Sequence, residues 1–228
     1  IGVSSAMALT TALRSTAIGY QALMTNITSN DCTALGYNAL RLNTASTNTA
    51  VGSGSLEQTT NGGNTAVGYN SMNANAGPQN VAIGVQALQA HTGQTCTAVG
   101  AFSLILNTGN HNTAIGAFAL NANTTSAALT AVGVRALATN VNGSNNVACG
   151  YEALYLNSNG TDNAAFGSNS LKTNVSGSGI TAIGSNCLTT TTASFNTGIG
   201  NGAGTAITSG ASNTIIGSIA GSVFLTGA

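Results

Sequence analysis

The side chains that could carry acid–base, nucleophilic or metal chemistry in this sequence are few and far apart. Asp31, Glu57, Glu152 and Asp162 are the only carboxylates, His91 and His111 the only imidazoles, and Cys32, Cys96, Cys149 and Cys187 the only thiols. Acid–base catalysis needs two such groups facing one reacting bond, and a zinc site needs several ligands at close spacing. Neither histidine has a cysteine, an acid or the second histidine at such a spacing. None of the glycines precedes a Lys-Ser/Thr step, as a phosphate-cradling loop would require. The residues therefore predict no enzyme, no catalytic or metal-binding residue and no cofactor.

Charge excludes further classes. Four basic and four acidic residues cancel to a net charge of zero, which leaves no basic footprint for nucleic acid or for an anionic membrane surface. The apolar residues come as short bursts of Ala, Val, Ile and Leu broken by Asn, Thr, Ser and Gly. A membrane-spanning helix needs roughly 18 or more in succession, so no membrane insertion is expected.

What positions these residues is a repeat. The stretch Asn64-Thr65-Ala66-Val67-Gly68-Tyr69-Asn70-Ser71-Met72 recurs along the chain, with anchoring glycines at 2, 19, 36, 52, 68, 84, 100, 116, 133, 150, 167, 184, 200 and 217, always 16 or 17 residues apart. So short a period without a helical segment predicts an all-β, parallel β-solenoid of about 14 coils, each burying its apolar face against its neighbours. No linker or shift of composition interrupts it, so residues 1–228 read as a single repeat domain. The chain opens and stops within a unit, which suggests part of a longer fibre, or copies continuing head to tail.

Positions are counted from the glycine. Minus four is mostly Asn, minus three mostly Thr with Val81 and Val147 in exchange, minus two mostly Ala, and minus one apolar. Alternation along a strand puts minus three and minus one on one face. The constant apolar residue suggests that this face is interior and that Ala points outward. Plus four is usually Leu, which predicts a second buried strand. The remainder forms an outer loop, with Asn at plus seven (Asn26, Asn43, Asn75, Asn107, Asn123, Asn140, Asn157, Asn174) able to build amide ladders between coils. His91 and His111 read as surface corner residues, and the cysteines as small buried residues without disulfides. Asn26, Asn123, Asn142, Asn159 and Asn174 carry the glycosylation pattern, as composition alone would produce.

The charges test the register. Arg14 and Asp31, Arg41 and Glu57, and Arg135 and Glu152 each share a position in adjacent units, so parallel in-register stacking would bring opposite charges together. Tyr20 and Tyr37 would stack by the same rule.

An outward column restricted to Ala suggests a neighbouring backbone packed against it. On this reading Ala17, Ala34, Ala50, Ala66, Ala82, Ala98, Ala114, Ala131, Ala148, Ala165 and Ala182 line a subunit interface in a parallel homo-oligomer.

The motif Asn112-Thr113-Ala114-Ile115-Gly116-Ala117-Phe118-Ala119-Leu120 resembles the head repeats of trimeric autotransporter adhesins. It is also similar to stalk repeats of phage and bacterial tail-fibre-like proteins. The resemblance covers nearly the whole chain and implies a left-handed β-roll assembled as a homotrimer and displayed outside a cell or virion. The implied function is structural and adhesive, with a host or cell-surface receptor as a further partner. The alternative is ice binding through the Thr column, which requires Thr to point outward on a flat exposed face.

Overall fold

The computed structural model describes residues 1–11, 13–74 and 76–222, so Asn75 lies outside the described residues. The chain is an all-β parallel β-solenoid that divides into two compact units, residues 1–112 and 113–228. In the first unit the repeat strands are β1 (Thr16–Ile18), β2 (Thr33–Leu35), β4 (Thr49–Val51), β6 (Thr65–Val67), β7 (Val81–Ile83) and β8 (Thr97–Val99). They pair in that order, all parallel and without slippage, so that Ala66 faces Ala82 and Ala82 faces Ala98. Two further short strands, β3 (Leu42–Asn43) and β5 (Gln58–Thr59), pair with each other. The second unit repeats the arrangement with β9 (Thr113–Ile115), β10 (Thr130–Val132), β11 (Val147–Cys149), β12 (Ala164–Phe166), β13 (Thr181–Ile183), β14 (Thr197–Ile199) and β15 (Thr214–Ile216), again paired in parallel and in register.

The faces of these strands are the reverse of the expectation. Ala34, Ala50, Ala66, Ala82, Ala98, Ala114, Ala131, Ala148, Ala165 and Ala182 are fully buried within the single chain, and Ala17 is half-buried. The Thr and Ile/Val columns point out. The interior of a coil explains this. Position minus two packs toward positions plus three and plus four, which hold Ala, Ser or Cys and a large aliphatic residue: Leu23, Leu40, Leu56, Met72, Leu88, Leu104, Leu120, Leu137, Leu154, Leu171 and Leu188 have no exposure. One Leu and two methyl-sized groups fill the cross-section, so Ala stays small because the coil is narrow.

The segment after the glycine also differs from expectation. Apart from the β3–β5 pair, it is a tight turn rather than a second strand, with positive φ at plus two and plus four, as at Gln86 (55°) and Leu88 (51°). Left-handed backbone costs an ordinary residue roughly 1–2 kcal/mol, and full burial of a Leu side chain returns about 1.5–3 kcal/mol. The Leu column therefore holds its own strained backbone in place. Coils stay bonded through these turns, for example from Leu88 N–H to the Ser103 carbonyl at 3.0 Å.

The anchoring glycines have a stricter reason. At Gly68 φ is 135°, and a β-carbon would lie 2.5 Å from the carbonyl oxygen of Gly84 in the next coil. Both the backbone conformation and the stacking exclude any side chain.

The third side of the interior is built of amides. Asn123, Asn140, Asn157 and Asn174 are fully buried and form a ladder: Asn140 donates to Asn123 (3.2 Å), Asn157 to Asn140 (2.9 Å) and Asn174 to Asn157 (3.0 Å). The position-minus-four amides form a second one, with Oδ1 of Asn146 accepting from Asn163 N–H and Oδ1 of Asn163 from Ile180 N–H. The Asn columns are thus core rather than display surface, and the sequon residues Asn26, Asn123 and Asn174 are sealed inside.

Candidate functional site

With Ala turned inward, each unit presents an outward strand face made of two columns. In the first unit Thr16, Thr33, Thr49, Thr65, Val81 and Thr97 stand beside Ile18, Leu35, Val51, Val67, Ile83 and Val99. In the second unit Thr113, Thr130, Val147, Ala164, Thr181, Thr197 and Thr214 stand beside Ile115, Val132, Cys149, Phe166, Ile183, Ile199 and Ile216. Strand geometry sets the lattice, about 4.8 Å between coils and about 6.6 Å between the two columns. Ile83, Ile115 and Ile183 are each 41–42% exposed even though flanked by like neighbours. An exposed apolar row of this length is unusual on a soluble monomer. The hydroxyls of these threonines have no hydrogen bond among the described residues, in contrast to Thr139 and Thr173 in the turns, which donate to neighbouring carbonyls at 2.7 Å.

The face continues around the glycine to position plus one, where Tyr20, Tyr37, Tyr69 and Tyr151 are exposed. Tyr20 and Tyr37 stack with centroids 5.3 Å apart and planes 9° from parallel, as the register predicts.

The ionic columns also form. Arg14 meets Asp31 at 2.6 Å, Arg41 meets Glu57 at 2.7 Å and Arg135 meets Glu152 at 3.3 Å. The sequence did not indicate that Lys172 also reaches Glu152, at 2.7 Å from the other side. Its hydrogen bond, with that of Arg135, holds the Glu152 carboxyl below the usual range despite burial. Lys172 comes from one coil further on and from position plus five rather than plus two, so matching columns alone does not find it.

The remaining sequence candidates are mostly structural. Cys32, Cys96 and Cys187 are buried, with thiols pushed upward by desolvation. Cys149 is exposed on the outward strand face. His111 is exposed, but His91 is fully buried in the plus-seven Asn column, contrary to the corner reading. Its Nδ1 lies 2.8 Å from the Asn107 carbonyl and its Nε2 3.2 Å from Asn80 Oδ1, so an imidazole takes the place of a ladder amide. Burial lowers its pKa. Among the described residues no group of three His, Cys, Asp or Glu side chains could hold a metal ion, and no helix is long and apolar enough to cross a membrane.

Fold and face together define a β-solenoid repeat protein. Compared with family models, curated proteins and solved structures, the chain matches none of them.

Proposed function

We propose that the chain is a non-catalytic, structural and adhesive repeat region of an extracellular fibre or appendage, displayed at a cell or virion surface, in which parallel copies associate as a homotrimer. The adhesin-like repeat supports the trimer, and one observation carries the association: the row of exposed Ile, Leu and Phe, with half-buried Val between them, on the outward strand face. The seam between copies is therefore assigned to the Thr and Ile/Val columns, replacing the Ala column. Parallel copies would set each coil against its equivalent and remove this row from water.

Light scattering on the intact protein tests the reading. The expected result is a trimer that dissociates when Ile115→Glu and Ile183→Glu are combined, while Gln86→Glu, in a turn, leaves the mass unchanged. A monomeric wild-type protein overturns it.

Ice binding is the second reading, and the outward Thr column with its unbonded hydroxyls favours it. Against it, the companion column varies in bulk from Cys149 to Leu35 and Phe166. A water-ordering surface needs constant height, whereas a seam between equivalent residues accommodates variation coil by coil. Thermal hysteresis by the wild-type protein, lost on Thr181→Lys, would reverse this ranking.

A further inference from the structure

A cavity of about 230 Å³ opens on the turn side of the second unit, lined by Phe118, Asn121, Ala122, Arg135, Ala138, Thr139 and Tyr155. Its origin is a dropout in one column. Position plus five carries Asn121, Ala138, Tyr155 and Lys172 in successive coils, so the methyl of Ala138 leaves a gap between two larger side chains. Position plus two supplies the opposite wall with Phe118 and Arg135.

Arg135, the charged residue of this lining, belongs to a cluster with an excess of positive charge. Arg14 with Asp31 and Arg41 with Glu57 pair one to one, whereas Arg135 and Lys172 share the single Glu152 carboxylate, whose side chain is 9% exposed. The shorter contact is to Lys172. Arg135 reaches Glu152 only through Nη1, at 3.3 Å, and its Nε and Nη2 have no partner among the described residues. That edge of a guanidinium accepts a carboxylate through two parallel hydrogen bonds. The Thr139 hydroxyl is anchored by donating to the Tyr155 carbonyl at 2.7 Å and so presents its lone pairs as acceptors. Phe118 and Tyr155 add apolar ring surface.

We propose that this cavity binds a carboxylated monosaccharide unit, such as a hexuronate, with its carboxylate on the Nε–Nη2 edge of Arg135 and its ring against Phe118 and Tyr155. A compact ligand with one carboxylate, an apolar ring face and several hydroxyls matches all three wall chemistries. A bare carboxylate uses only the first of them, and a neutral sugar lacks the partner for the cation. The cavity draws on positions plus two and plus five, not minus three and minus one, so the proposal stands independently of how the outward strand face is used.

Isothermal titration calorimetry on the intact protein with methyl glucuronoside, methyl glucoside and acetate as probes tests it. The glucuronoside is expected to bind at least about tenfold more tightly than either control, the difference expected for one charge-assisted bidentate contact. Arg135→Gln should abolish that preference. Gln is tolerated there, since Gln21 and Gln86 occupy the same column with the same positive φ. Ala138→Leu should remove binding while keeping every charge, and column neighbours of similar or larger size show that the backbone accommodates it. Equal binding of glucuronoside and glucoside, equal binding of acetate, or unchanged affinity in folded Ala138→Leu would each overturn the proposal.

Discussion

Gly198 and Cys187 share one small space inside the second unit: a β-carbon on Gly198 would lie 2.7 Å from Cys187 Sγ and 2.8 Å from Leu188 Cγ. Gly198 stands where other coils carry Ala, and Cys187 where they carry Ala or Ser. One coil on, the exchange recurs with different residues. Ile215 occupies the Ala position, and Gly204 occupies the Leu position, where an added β-carbon would lie 3.1 Å from Ile215 Cδ1. Each enlargement of one wall is matched by a reduction of the other.

Gly198→Ala, although it restores the commonest residue of its column, should therefore destabilise the protein by roughly 1–3 kcal/mol through overpacking. Adding Cys187→Ala should recover much of that loss. Urea unfolding of the two single variants and the double variant measures the coupling, and strictly additive effects would show that the two sites do not share space.

Gly116→Ala should be more damaging. With φ at 136° and the Gly133 carbonyl atoms 2.5 Å from an added β-carbon, the variant combines backbone strain with a clash between coils, together at least about 3 kcal/mol. Ala117→Ser, one residue on and at a position where other coils carry Ser, should stay within about 0.5 kcal/mol. Thermal unfolding of the pair compares them directly, and equal effects would refute the role given to the glycine.

His91 links stability to pH. Its folded-state pKa lies below the ordinary value of 6.5 because burial penalises the imidazolium. Below that value the unfolded chain takes up the proton more readily than the folded one, so stability is intact above about pH 6.5 and declines as the pH falls toward the folded value. His91→Asn, which installs the residue typical of that column, should flatten the decline between neutral pH and pH ~5.5. Chemical denaturation at several pH values reads this out, and identical pH profiles for both proteins would exclude His91 as the cause.

Ala128→Gly should stabilise. Ala128 has φ of 56° with no side-chain bond to justify it, and Gly63 and Gly179 occupy the same position in their coils at 76° and 65°. Relief of left-handed strain predicts a gain of roughly 0.5–1 kcal/mol, seen as a rise of a few degrees in melting temperature. A fall would mean that the Ala128 methyl makes contacts that outweigh its strain.

Period and register were legible in the sequence because they depend only on spacing. The glycine anchors, the stacked Tyr20 and Tyr37 and the three Arg–carboxylate pairs all follow from setting like positions one above another. Which face turns inward was not legible. Alternation defines two faces without naming the buried one, and the usual preference for burying Val and Ile over Ala fails when the enclosed space admits only a methyl opposite Leu. His91 escapes the sequence for a related reason: a polar column reads as surface, yet its amides satisfy one another inside. The cavity beside Arg135 depends on one small residue, Ala138, in a column with no fixed identity, and Lys172 reaches Glu152 across both columns and coils.

Coils of unequal length nevertheless share one cross-section, because the difference is absorbed between the plus-seven amide and the next strand. Three residues separate Asn107 from His111, whereas four separate Asn123 from Ala128. An insertion at that corner leaves the parity of the strand untouched, while a single residue added between the glycine and the preceding Thr would turn its methyls outward and its hydroxyls inward. Copying a whole turn disturbs neither, so such a gene can grow or shrink by duplication while each new turn inherits a finished set of neighbours.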